Sequence, residues 1–151
     1  MKNYPVPDGP VWQVHDDGVN APMEHQRVIS RLNVGLGILY YKEHSIAYEP
    51  LPETMIDEGQ TSPTPDLVLY DSVTELMPII IEVCHTRGQK NDLKKIIRLI
   101  EEDDYGILEG FVYNYRTHEW LRYRKGDGGM ATGTSFSELL NLDLGQFLDL
   151  P

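Results

Sequence analysis

The sequence predicts a single α/β domain in which a mixed sheet lies between helices. Three observations carry that expectation. The chain has 151 residues, enough for one core and too few for two. Its apolar spacing runs in the order helix, three strands, helix, then a strand or two. One of those strands, Ile79 to Cys84, is apolar on both faces except at a single carboxylate, as in a central strand covered from two sides. Residues 1–151 are therefore expected to form one domain, with a core over about 11–125 and a closing helix over about 135–148.

The elements follow in chain order. Val11 to Val14 and Val19 flank Asp16-Asp17-Gly18, which reads as a short hairpin with an Asp-Gly turn. From Glu24 to about Leu39, Val28, Ile29, Leu32, Leu36 and Leu39 fall on one helical stripe, while Gly35 and Gly37 weaken its last turns. Ile46 to Leu51 reads as a strand closed by Pro50 and Pro52, Asp66 to Tyr70 as a second, and Pro78 opens a third through Cys84. A helix is expected from about Asn91 to Asp103, with Leu93, Ile96, Ile97 and Ile100 as its apolar stripe. Ile107 to Tyr115 and Trp120 to Tyr123 read as a hairpin across Arg116-Thr117-His118. Ser135 and Ser137 ahead of Glu138-Leu139-Leu140 look like the capped start of a terminal helix.

Composition narrows the function. Thirteen Lys and Arg against 24 Asp and Glu give a net charge of −11, which argues against a protein that coats nucleic acid without specificity. The charge is uneven, however. Residues 43–75 hold eight acids and no Lys or Arg, whereas Arg87, Lys90, Lys94, Lys95 and Arg98 face Asp92 alone within 84–98. Arg116, Arg122, Arg124 and Lys125 add a second basic stretch. Such strips are either solvated faces or a phosphate-facing surface on an acidic body. No apolar run is long enough to span a bilayer, the N-terminus lacks a signal-peptide core, and Cys84 is the sole cysteine. A reducing cytoplasm is the expected compartment.

Glu82 is the most informative residue. Strand alternation places Ile80, Glu82 and Cys84 on one face and Ile79, Ile81 and Val83 on the other. A carboxylate among Ile and Val costs several kcal/mol unless it meets a metal or a basic partner, or stays protonated. Asp66 starts a neighbouring strand and stands close enough in sequence to converge with it across a turn. Two carboxylates at sheet level suit Mg²⁺ or Mn²⁺. A structural pair of Glu82 with a helix lysine accounts for the same pattern equally well.

Pro65-Asp66, then a hydrophobic strand carrying Glu82, resembles the PD-(D/E)XK nuclease superfamily, whose core has a restriction-endonuclease-like αβββαβ order. More narrowly the chain resembles the small bacterial restriction-endonuclease-like proteins of "Uma-two" type. That likeness rests on the Asp17-Gly18 hairpin, Glu24-His25-Gln26-Arg27-Val28, Pro65-Asp66-Leu67-Val68, and Ile81-Glu82-Val83 leading into Asn91-Asp92-Leu93-Lys94-Lys95. It implies a Mg²⁺- or Mn²⁺-dependent endonuclease acting on nucleic acid, with DNA the expected substrate. Asp66 and Glu82 would be the metal ligands, the carbonyl of Val83 or Cys84 could complete the set, and Glu24 corresponds to a further ligand used by some members. The lysine expected two residues after the glutamate is Cys84 here. In the narrower family it comes from the following helix, which makes Lys94 or Lys95 the catalytic lysine; periodicity favours Lys94, and Lys90 is a third candidate.

Two rival readings stand beside it. One is a nuclease-like fold that no longer cuts and serves as a binding or assembly module, favoured by Cys84 and the overall acidity. The other adds a homodimer through the hairpin strand near Trp120. His25 reads as a half-buried histidine or an active-site neighbour, and His85 with Cys84 is no zinc pair because adjacent strand residues point apart. Tyr113 and Tyr115 read as sheet packing. Gly126 to Gly129 lacks the Lys-Ser/Thr ending of a phosphate loop.

Overall fold

The computed structural model describes residues 22–57 and 63–149. The element order is α1 (Met23–Gly37), a π-helical turn (Ile38–Lys42), β1 (Glu49–Pro52), β2 (Leu67–Asp71), β3 (Leu76–Cys84), α2 (Thr86–Glu101), β4 (Glu109–Asn114) and β5 (Glu119–Arg124). Two short strands follow, β6 (Phe136–Ser137) and β7 (Leu142–Asp143), and then a 3₁₀ turn, Leu144–Phe147. The predicted 11–19 hairpin lies outside the described residues.

The five main strands form one sheet in the order β1-β2-β3-β4-β5. β3 runs antiparallel to β2 and parallel to β4, so the sheet is mixed and β3 is its centre. α2 is the crossover that a parallel β3–β4 pair requires. Alternation along β3 sorts the core into two layers. Leu67, Leu69, Ile79, Ile81 and Val83 pack with Val28, Ile29, Leu32 and Leu36 of α1. Val68, Ile80 and Cys84 pack with Ile96, Leu99 and Ile100 of α2. The expected mixed sheet with a helix on each face is what forms. Among the described residues no helix is long and apolar enough to cross a membrane.

Several boundaries differ from expectation. β1 starts at Glu49, not Ile46. α2 starts at Thr86, five residues before Asn91, because the His85 side chain caps it by accepting a hydrogen bond from Arg87 N at 3.0 Å; histidine is not among the usual capping residues. The C-terminal helix over 135–148 does not form. Asn141 adopts φ 56° between two short strands, and the Ser137 hydroxyl, expected near a helix start, accepts from Leu140 N at 3.1 Å as a cap would while donating to Glu109 Oε1 at 2.6 Å. The local cap bond is made, yet the chain continues as a turn between β6 and β7.

The outer edge of β5 is partly covered by its own chain. Arg122 N donates to Thr132 O at 2.8 Å and Thr132 N returns a bond to Arg122 O at 2.9 Å. Trp120 packs inward against Phe111 and Tyr113.

α2 lies close on the sheet because Gly110 has no side chain. A Cβ there would stand 2.2 Å from Ile96 Cγ2, and Ile96 is fully buried and β-branched, so it has little freedom to move. Gly110→Ala is expected to cost about 1–3 kcal/mol. Urea denaturation would measure this, with Ile96→Ala expected to recover part of the loss when combined with it.

Candidate functional site

The site forms at the C-terminal end of β3, where the two helix layers meet the sheet edge. Leu67 pairs with Ile81, which in antiparallel register sets Asp66 opposite Glu82. Asp66 Oδ2 accepts a hydrogen bond from Val83 N at 2.8 Å. The same oxygen lies 3.3 Å from His25 Nε2 on the first turn of α1. Asp66 is thus fixed from both sides, by the backbone of β3 and by α1.

Glu82 is only 4% exposed, on the face covered by α2. Lys95 Nζ lies 2.9 Å from Glu82 Oε2. This is close enough for an ion pair, but the angles leave Oε2 without a hydrogen bond. Burial pushes the Glu82 carboxyl up to about 8, the negative charge of Asp66 adds to the rise, and Lys95 pulls it back. Burial alone would lower the Lys95 ammonium; the charge and close polar contact of Glu82, with the charges of Asp92 and Asp66, together outweigh it and leave Lys95 above its usual range. For His25, burial acts downward, and hydrogen bonding and attraction to Asp66 overcome it, so its pKa is raised.

Asp92, one turn before Lys95, belongs to the same electrostatic group. Burial lifts its carboxyl to about 6, against the pull of Lys95 and with a further push from Asp66. Three acids therefore share the positive charge of Lys95 and the ring of His25. That surplus of negative charge in a poorly solvated place favours a cation. The buried Oε2 of Glu82, whose only close partner among the described residues is Lys95 Nζ at 2.9 Å, is the donor atom such a cation would meet. Among the described residues no three His, Cys, Asp or Glu side chains are grouped so as to hold a metal. Asp66 and Glu82 are the two carboxylates that could hold an ion such as Mg²⁺ here, with backbone oxygen and water needed for the rest of its shell.

The structure brings together Asp66, Glu82 and Lys95 of the residues expected from sequence. It does not bring Lys94, which is exposed. The preference for Lys94 fails because the predicted stripe omitted Leu99 and counted Leu93 and Ile97, which are only half-buried. With Ile96, Leu99 and Ile100 as the buried residues, the stripe centre shifts. Lys95 then lies roughly 90° from it and Lys94 roughly 170°. Glu24 is not brought in either: its carboxylate is 61% exposed and pairs with Arg27 at 3.1 Å. The adjacent residue, His25, reaches Asp66 instead. Asp92 was missed, having been read as a lone acid among lysines; the corrected stripe puts it on the sheet-facing side. At the strand position where a lysine is usual, burial pushes the Cys84 thiol up to about 12, so it supplies no charge.

The raised Glu82 pKa has a consequence for stability. The native state holds its proton where the unfolded chain has released it, so stability falls as pH rises between the ordinary 4.5 and about 8. Asp92 acts in the same direction, but only up to about 6. In a chelating buffer the native chain is expected to lose on the order of 1–2 kcal/mol between pH 6 and 8. Glu82→Gln is expected to fall less steeply over that interval, with the remaining slope coming from His25, whose pKa is raised above 6.5. Equal slopes in urea titrations of the two proteins would rule this out.

No protein-family model matches the chain, and no curated protein matches it. Among solved structures, it is similar to the crystal structure of "a putative nuclease belonging to DUF820" from Anabaena variabilis ATCC 29413. The two align over 85% of this chain and 82% of the other, with a TM-score of 0.64 and 12% identity. At that identity the likeness establishes the shared fold. The cryo-EM structure of a DrdV–DNA complex aligns over 85% of this chain and 14% of its own, at 13% identity and a TM-score of 0.41, too loose an overlay to carry an argument.

Proposed function

We propose that the chain is a metal-dependent endonuclease of the PD-(D/E)XK type, cleaving phosphodiester bonds in nucleic acid, DNA first among the candidates. The observation that carries this reading is the buried Glu82, set opposite Asp66 and within 2.9 Å of Lys95. Asp66 and Glu82 would hold Mg²⁺ or Mn²⁺. When bound, such an ion polarises a phosphoryl oxygen and lowers the pKa of an attacking water.

The chain's own groups account for the remaining tasks. Lys95 stands where it can neutralise charge gathering on the phosphoryl group and orient the incoming water. His25 keeps Asp66 aimed at the sheet end through its 3.3 Å contact. The Val83 N–H fixes the same carboxylate from below, so the pair is positioned before any ligand arrives. Burial of Cys84 with Ile96 and Leu99 keeps water away from the lower side of Glu82. The single buried thiol suits a reducing cytoplasm.

Calorimetry with Mn²⁺ tests the assignment. The native chain is expected to bind one ion, and Asp66→Ala and Glu82→Ala each to lose binding while keeping the native circular dichroism. Undiminished Mn²⁺ affinity in either variant would remove that residue from the site. A second reading, a nuclease fold that binds without cutting, is favoured by the neutral thiol of Cys84 at the strand position. It predicts nucleic-acid binding with no metal-dependent nicking of a supercoiled plasmid.

A further inference from the structure

Beside the acids lies a cleft of opposite character. Among the described residues, His85, Thr86, Arg87 and Arg116 line an open cavity of about 410 Å³, and none of these is a carboxylate. In a chain of net charge −11 this is the reverse of what chance placement would give. Neither Arg87 nor Arg116 forms an ion pair with any described carboxylate. The Arg116 guanidinium is instead held over the Tyr115 ring, 5.9 Å from its centroid, an arrangement that fixes its position and leaves its N–H groups available.

The cleft is built, and its two walls are tied together by one buried side chain. Asn114, 1% exposed, donates to Thr86 Oγ1 at 3.2 Å and to Gln89 Oε1 at 2.7 Å on α2. Its Oδ1 accepts from Arg116 N at 2.9 Å and Thr117 N at 3.2 Å in the β4–β5 turn. The start of α2, bearing Arg87, and the turn bearing Arg116 are thereby held at a fixed separation. Tyr115 places this cleft next to the acids. Its ring meets His25, the partner of Asp66, edge-on at 6.4 Å, and His85, on the cleft wall, at 6.3 Å.

We propose that the His85–Thr86–Arg87–Arg116 cleft is a phosphodiester subsite, which takes a backbone phosphate neighbouring the one at Asp66 and Glu82. Guanidinium pairs suit phosphate because their N–H forks match its oxygens. The inference rests on the nucleic-acid reading above and supplies what that reading lacks: an attractive contact for a polyanion whose scissile group must enter an acidic pocket. Asn114 is a positioning residue here, acting through Arg87 and Arg116.

The test is binding of a short fluorescein-labelled DNA duplex to the full chain in a chelating buffer, by anisotropy across a salt series. Arg87→Ala combined with Arg116→Ala is expected to weaken binding about tenfold or more. It should also lower the slope of log affinity against log salt by about two, one for each lost phosphate contact. Lys42→Ala, an exposed cation beyond the far end of α1, is expected to change affinity less than about twofold. No duplex binding by the native chain, unchanged binding in the double variant, or an equal loss in Lys42→Ala would each overturn the subsite. Adenosine monophosphate as competitor separates the two sources of a phosphate ester. Displacement of the duplex by the mononucleotide at matching affinity would mean a small-molecule site and overturn the polymer assignment. Because no readout needs cleavage, a chain that binds through the arginines and never cuts sinks the endonuclease reading alone.

Discussion

Lys95→Ala is expected to lower metal-dependent cleavage by about 100-fold or more, whereas Lys94→Ala should leave it within about twofold. The two residues are neighbours on α2, equal in charge and side-chain length, so non-specific attraction to a polyanion predicts equal losses. The difference lies in direction. Lys95 leans to the sheet and meets Glu82 at 2.9 Å, while Lys94 is exposed. Lys95→Ala also strips Glu82 of its counter-charge, so binding of Mn²⁺ must be measured in parallel. A fall in turnover with Mn²⁺ affinity retained marks action on the reacting groups. A fall in both marks a merely electrostatic support of the acids. Comparable losses from Lys94→Ala and Lys95→Ala would remove the assignment.

Glu109→Ala is expected to cost on the order of 3 kcal/mol and to release the C-terminal segment from the sheet. Glu109 is 1% exposed, yet it is not part of the site. Its carboxylate accepts from Ser137 Oγ at 2.6 Å and from the backbone N–H of Glu138 at 2.8 Å, with a longer contact to Leu139 N at 3.4 Å. Hydrogen bonds to a charged acceptor are each worth more than neutral ones. Removing the acceptor also leaves the buried Ser137 hydroxyl and the part-buried Glu138 N–H without that partner. Leu140 and Leu144, which complete the α1-side core, follow Ser137 in the chain and depend on this anchor. Ser137→Ala should cost less, about 1–1.5 kcal/mol. Hydrogen exchange at the Glu138 and Leu139 amides would report the release directly; unchanged protection in Glu109→Ala would refute it.

The site was partly legible in the sequence, and what was legible followed from strand period. A carboxylate inside Ile79–Cys84 breaks a two-residue alternation with no loop to excuse it, and Asp66 could be matched to it across one turn. The choice of lysine was not legible to the same degree. On a helix, omitting the buried Leu99 and counting the half-buried Leu93 and Ile97 together moved the stripe centre by more than half a residue step, enough to exchange Lys94 for Lys95. Glu24 illustrates another limit: the first turn of α1 does reach the acids, but through His25, since one residue changes direction by roughly 100°. The terminal helix was misread because Ser137 and Glu138 satisfy a local pattern while bonding to Glu109. Such long-range partners leave no local trace, and the same holds for Asn114, whose four contacts join two elements.

β3 passes into α2 through one residue, His85, and this sets how the chain can vary in length. Glu82 and Lys95 are thirteen positions apart on a strand and helix with no slack between them. One residue inserted or deleted within 86–94 would rotate every later α2 side chain by roughly 100°. It would turn Lys95 off Glu82 and Ile96, Leu99 and Ile100 out of the core together. The segment 102–106 after α2 and the turn 126–130 carry no such phase relation to the acids. Length changes between descendants of this chain should therefore gather in those two connections, with the span from Glu82 to Lys95 preserved as a fixed interval.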